Sequence, residues 1–138
     1  MATGAVLYTP EILALATGLA AFRWDEALPL QGSARSRSCG STLALGLALD
    51  GEGRIARIGL RAHACAIGQA SAAIFAQGAV GCDGARVRAT AAAIQAWLDG
   101  EGLLPDWPCL SAIAPARDYP GRHGAILLGW QAASEILP

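Results

Sequence analysis

The sequence has no lysine; all ten of its basic residues are arginine. Chemistry that needs a lysine amine, such as a Schiff base or the lysine of a phosphate-binding loop, is therefore excluded. Charge of either sign is scarce, at 15% of residues, and the net charge is -1. The arginines run from Arg23 to Arg122 without clustering in sequence, which gives no electrostatic footprint for nucleic acid or an anionic membrane. Also missing is any close cysteine pair. Cys39, Cys65, Cys82 and Cys109 stand 26, 17 and 27 residues apart, unlike a zinc finger or a thioredoxin-like redox pair. Residues 1–8 lack the basic start and long apolar stretch of a secretory signal, so a cytoplasmic location with reduced thiols is expected. The uncharged run 62–82 is interrupted by His63, Gln69, Ser71, Gln77 and glycines too often for a membrane span, and no membrane partner is expected.

What is present is apolar: 54% of 138 residues, enough for one domain, 1–138, around one core without help from disulfides or metal. Thr9, Pro10 and Glu11 read as cap, first turn and favourable dipole charge of a helix over residues 10–22. Its apolar face is Ile12, Leu15, Ala16, Leu19 and Phe22. Residues 28–38 read as a loop with room for a short edge strand at 28–31. The period then changes to two: Leu43, Leu45, Leu47 and Leu49 alternate with smaller residues. Asp50-Gly51-Glu52-Gly53 makes a hairpin, and residues 54–61 form the return strand. After His63 the pattern is helical. Helices are expected over 68–77, from the Asp83 cap to Gly100, from an Asp106 cap to 114, and over 121–137. The expected class is α+β: a small antiparallel sheet of two clear strands and an optional third, an N-terminal helix, and about four C-terminal helices on one face.

In an antiparallel pair the start of one strand lies beside the end of its partner. Cys39 just precedes the first long strand and Cys65 just follows the second, so they should meet at one end of the sheet. Cys65 also leads a helix, whose N-terminus favours thiolate. Two meeting thiolates make a metal or sulfur site, whereas Cys82 and Cys109 read first as small apolar residues. Trp97, Trp107 and Trp130 read as core. No cysteine has a well-placed histidine base, so an enzyme is not expected.

These residues resemble a known family. Ser38-Cys39-Gly40-Ser41, an alternating strand, an acidic glycine-rich hairpin, a return strand and then Ala64-Cys65-Ala66-Ile67-Gly68-Gln69-Ala70-Ser71-Ala72 look like the U-type iron-sulfur cluster scaffolds: IscU, SufU and the N-terminal part of NifU. Tyr8 with Glu11-Ile12-Leu13 resembles the family's opening helix, and residues 80–98 its glycine-led next helix. The tail from Arg117 to Trp130 is similar to the SufU ending, where an arginine precedes the third cysteine by three and a tryptophan follows it by five.

The resemblance implies a non-catalytic assembly scaffold or carrier for an iron-sulfur cluster, iron or zinc. Its partners would be a cysteine desulfurase and cluster-acceptor proteins. Three departures mark a divergent member. Ser41 stands where the family has aspartate, Ala125 where it has the third cysteine, and Gly124 where IscU-type chains have histidine. Cys39 and Cys65 alone carry over as cofactor and metal ligands. His63, on the strand just before Cys65, and Cys109 are candidate substitutes, while His123 lies about 200° round a helix from Ala125. Otherwise a homodimer supplies two thiolates per chain, or the chain is a degenerate scaffold that docks its partners without stable metal. Arg122 is read as solvating a helix start, with steering of a sulfur donor as the alternative.

Overall fold

The computed structural model describes residues 7–37 and 39–138. Residues 1–6, part of the stretch read above for a secretory signal, and Ser38 of the cysteine motif lie outside the described residues. Helix α1, Pro10–Gly18, begins as the sequence dictates: the Ile12 amide donates to Thr9 Oγ1 at 3.2 Å, and Pro10 occupies the first turn. A 3-10 turn, Leu19–Ala21, continues it toward the expected end.

Three strands follow, β1 Leu30–Arg35, β2 Thr42–Leu49 and β3 Ile55–His63, in the antiparallel order β1-β2-β3. The β2–β3 hairpin turns on Asp50, whose carboxylate accepts from the Glu52 and Arg54 amides at 2.8 and 3.0 Å. The edge strand is longer than the expected 28–31 and pairs with β2 from Leu30↔Leu47 to Arg35↔Thr42. Gly32 makes this possible, because a Cβ there would lie 2.7 Å from Ile136 and 3.3 Å from the Ala132 carbonyl of the helix above.

Leu43, Leu45 and Leu47 point into the core, where α2, Ala66–Ala79, is buried along most of its length. Helix α3, Gly84–Leu98, starts at the Asp83 cap, which accepts from the Arg86 amide at 2.9 Å. Two later expectations change. The helix expected from an Asp106 cap is instead a 3-10 run, Leu110–Asp118, that begins after a left-handed Cys109. Pro108 disfavours helical backbone at Trp107, and Pro115 removes an amide from the run. The Asp106 carbonyl meanwhile accepts from Arg86.

The final helix is also divided, into a 3-10 turn Pro120–Arg122, α4 His123–Ile126 and α5 Leu128–Ile136. At the break, the buried Ser71 hydroxyl of α2 takes the Ile126 carbonyl at 2.7 Å. Phe75, Trp107 and Trp130 pack as a triad with ring centroids 5.2 to 5.9 Å apart, and Trp107 Nε1 donates to the Ile74 carbonyl at 2.9 Å. Trp97 is buried as well. No helix among the described residues is long and apolar enough to cross a membrane.

Candidate functional site

The β1–β2 connection is a tight loop, closed by hydrogen bonds from the Ser36 amide to the Ser41 carbonyl, 2.8 Å, and from the Gly40 amide to the Ser36 carbonyl, 3.1 Å. Gly40 has φ +70, a left-handed conformation that a side chain would strain. The turn exposes Cys39 while keeping its sulfur between two buried hydroxyls: Sγ donates to Ser36 Oγ at 3.3 Å and lies 3.1 Å from Ser41 Oγ. On the neighbouring strand, His63 pairs with Thr42 in the last row of the sheet. Two residues on, Cys65 takes extended backbone (φ -64, ψ 171) as the N-cap of α2. It is half-buried, and its sulfur makes no capping bond. Gln69 fastens this corner, its side chain donating to the Ala64 carbonyl and its amide to that of Cys65.

Arg122 reaches the N-terminal segment. Its Nη2 donates to Tyr8 Oη at 3.2 Å, a contact between residues 114 positions apart. The guanidinium is held more firmly protonated by that hydrogen bond first, then by Tyr8, Cys65 and Cys39 as nearby negative charge when ionised. Arg122 thus has Tyr8 as a defined partner, and Tyr8 and Ser36 come to this end of the fold unannounced by any spacing in the sequence.

Ala125, which the resemblance sets at the family's third-cysteine position, packs beside the first turn of α2. Ala125 is 1% exposed, and a Cβ on Gly68, in the first turn of α2, would lie 3.2 Å from the Ala125 methyl. His123 turns away, its Nε2 2.7 Å from the Arg117 carbonyl. His63 and Cys109 are both exposed, and no three described histidine, cysteine or acidic side chains gather as a metal-holding group. Cys82 is elsewhere, with its thiol donating to the Gly78 carbonyl at 3.3 Å. A four-coordinate zinc or a two-iron cluster needs four ligands, so Cys39 and Cys65 are donors of the right kind but half the number.

No family model matches the chain, and no curated protein matches it. Solved structures do. One is a nitrogen-fixing NifU-like protein (N-terminal) from Brucella abortus, 26% identical, with a TM-score of 0.84 over 98% of this chain and 94% of that one. Another is a putative iron-sulfur cluster assembly scaffold protein for the SUF system from Fervidobacterium islandicum. It is 21% identical, with a TM-score of 0.79 over 96% of this chain and 97% of that one.

Proposed function

We propose that this chain, which has the fold of the U-type scaffolds, works as an iron-sulfur cluster assembly scaffold or carrier. Its cargo is iron, zinc or a nascent cluster, taken up at Cys39 and Cys65. The observation that carries the reading is the shared end of the sheet, where Thr42 pairs with His63: an exposed cysteine on the loop leading into β2 and a cysteine between β3 and α2. Thiolate is the preferred ligand for each of these cargoes. Access from solvent at Cys39 suits a site that loads and unloads. On this reading the partners are a cysteine desulfurase and cluster acceptors, the compartment is the cytoplasm, and the chain performs no catalysis of its own.

The test is anaerobic reconstitution with ferrous iron, sulfide and a reductant, followed by visible absorption and metal analysis. Wild type is expected to take up colour and iron, and the Cys39→Ala/Cys65→Ala double variant to stay colourless. Equal, metal-free behaviour of the two sinks the reading.

A second reading has its own support: the resemblance sets Ser41 and the buried Ala125 at family ligand positions, and no three described histidine, cysteine or acidic side chains gather. Here the chain docks a cysteine desulfurase without stable metal. Both cysteine variants would then co-purify with the desulfurase as well as wild type does, and absence of any complex at micromolar concentration counts against it.

A further inference from the structure

The three-stranded sheet has two outer edges, and the fold treats them differently. In an antiparallel pair the backbone groups of successive residues point alternately toward the partner strand and away from it. The Ser36 amide donates to the Ser41 carbonyl at 2.8 Å across the β1–β2 connection, so Ala34, Gly32 and Leu30 turn their backbone toward β2 as Ser36 does. Gln31, Ser33 and Arg35 therefore turn theirs outward. Carried through the register of β2 and β3, the same alternation points Leu60 outward on the far edge. There the chain covers it: the Leu60 amide donates to the Phe22 carbonyl at 2.9 Å, and Ile55 bonds to Gly81 and Cys82.

No such cover lies on β1. Among the described residues no hydrogen bond reaches the outward amides and carbonyls of Gln31, Ser33 and Arg35. A cleft of about 780 Å³ opens beside Ser33, Ala34 and Arg35, with Gln131, Ser134 and Glu135 of α5 across from them. Consecutive strand residues alternate between faces, so a cleft lined by three of them runs along the edge, where another strand has room. Sheets usually guard such an edge with proline, inward charge or a bulge. Residues 30–35 contain no proline, their register with β2 is unbroken, and their one charge is Arg35 at the end.

The occupant these features fit is the same strand of a second copy. Antiparallel strands join outward-facing residues to outward-facing residues, so a two-fold pairing centred on Ser33 sets Ser33 opposite its counterpart and Gln31 opposite Arg35 in both directions. All three then exchange backbone hydrogen bonds. A shift of the register brings in Pro29, which has no amide hydrogen, or Arg37, which lies in the turn beyond the strand. Charge agrees with the centred register. Opposite residues project to one face with Cβ atoms about 5 Å apart, so Arg35 of one copy meets Gln31 of the other, whose side chain donates to the carbonyl of the exposed Glu26 at 3.0 Å. The two Arg35 side chains stand about 13 Å apart along the strands, beyond the roughly 8 Å over which exposed charges act at physiological salt.

We infer that two copies of this chain associate edge to edge through β1, joining their sheets about a two-fold axis at Ser33. The inference goes beyond the scaffold reading and stands without it, because neither cysteine nor cargo enters the interface. A closed pair leaves no open β1 edge, so association stops at the dimer.

The test is sedimentation velocity of the full chain, with chelator and reductant present to exclude metal- and disulfide-bridged pairs. A monomer–dimer equilibrium is expected between micromolar and millimolar concentration. Ser33→Pro removes an outward amide and leaves the β1–β2 ladder intact, so it should raise the dissociation constant roughly tenfold or more, whereas Ser33→Ala should not change it. Arg35→Glu should weaken the dimer several-fold, and Glu26→Arg in the same chain should restore it. Circular dichroism checks that each variant folds; if Ser33→Pro does not, the charge pair decides alone. A wild type that stays monomeric throughout, a dimer indifferent to a folded Ser33→Pro, or a charge reversal that has no effect or is not rescued overturns the inference.

Discussion

On the proposed scaffold reading, Ala125 is the residue on which cargo retention turns. Its buried methyl faces Gly68 in the first turn of α2, which Cys65 leads, and on that reading a sulfur placed there adds a donor to Cys39 and Cys65. Ala125→Cys is expected to raise the iron retained after reconstitution in 2-mercaptoethanol, measured by metal analysis after desalting; unchanged iron would show that this position does not face the site. Cys82 answers to pH instead. Burial, the largest cause, pushes its thiol above the usual range, with Arg86 opposing and Asp83 adding. The fold favours the neutral thiol, so its contribution to stability is intact below the unfolded pKa and is lost as pH rises through the folded one. Iodoacetamide labelling of Cys82, followed by mass spectrometry, should therefore rise at higher pH in the native chain than in the urea-unfolded chain. Identical profiles would contradict this.

Helix α5 ends on a clamp from its neighbour. Arg88 of α3 donates to the carbonyls of Ser134, Leu137 and Pro138 at 3.0, 2.6 and 3.3 Å, satisfying groups that a helix end leaves unpaired. Arg88→Ala should cost about 1 kcal/mol, near the low end for charged hydrogen bonds because the side chain is exposed. Lysine should recover only part of this, since it lacks the planar fork. Urea unfolding gives the loss, and faster amide exchange confined to the last turns of α5 would locate it; a change spread evenly over the chain would not fit. The elements themselves differ in how far local signals foretold them. The Thr9 and Asp83 caps act within three residues, and both helices start where those residues stand. The 3-10 run at Leu110–Asp118 and the break at Leu127 reflect prolines and a serine 55 positions away, whose effects exceed helical periodicity.

Packing across the fold converges on the Phe75, Trp107 and Trp130 triad, which joins α2, the segment before the 3-10 run and α5. Gly78 and Gly129 let those rings approach: a Cβ on Gly129 would lie 2.8 Å from Phe75, and one on Gly78 would clash with the Trp107 indole. Trp107→Ala removes a buried ring and leaves the Ile74 carbonyl without its donor, so it should cost roughly 3–5 kcal/mol. Urea unfolding followed by circular dichroism and by tryptophan fluorescence should show one shared, shifted transition. A loss under 1 kcal/mol, on the order of a surface change, would mean that the triad is not the hub described.

Much of the site was readable in one dimension because its determinants are local. Period-two leucines, the acidic hairpin and cysteines flanking the strand pair put Cys39 and Cys65 at one end of the sheet, as antiparallel pairing requires. The folded arrangement was needed to show that Tyr8 meets Arg122 across 114 positions and that Ser36 and Ser41 bracket the Cys39 sulfur. Those contacts depend on strand register and on how helices settle over glycines, and neither leaves a repeating mark in the order of residues.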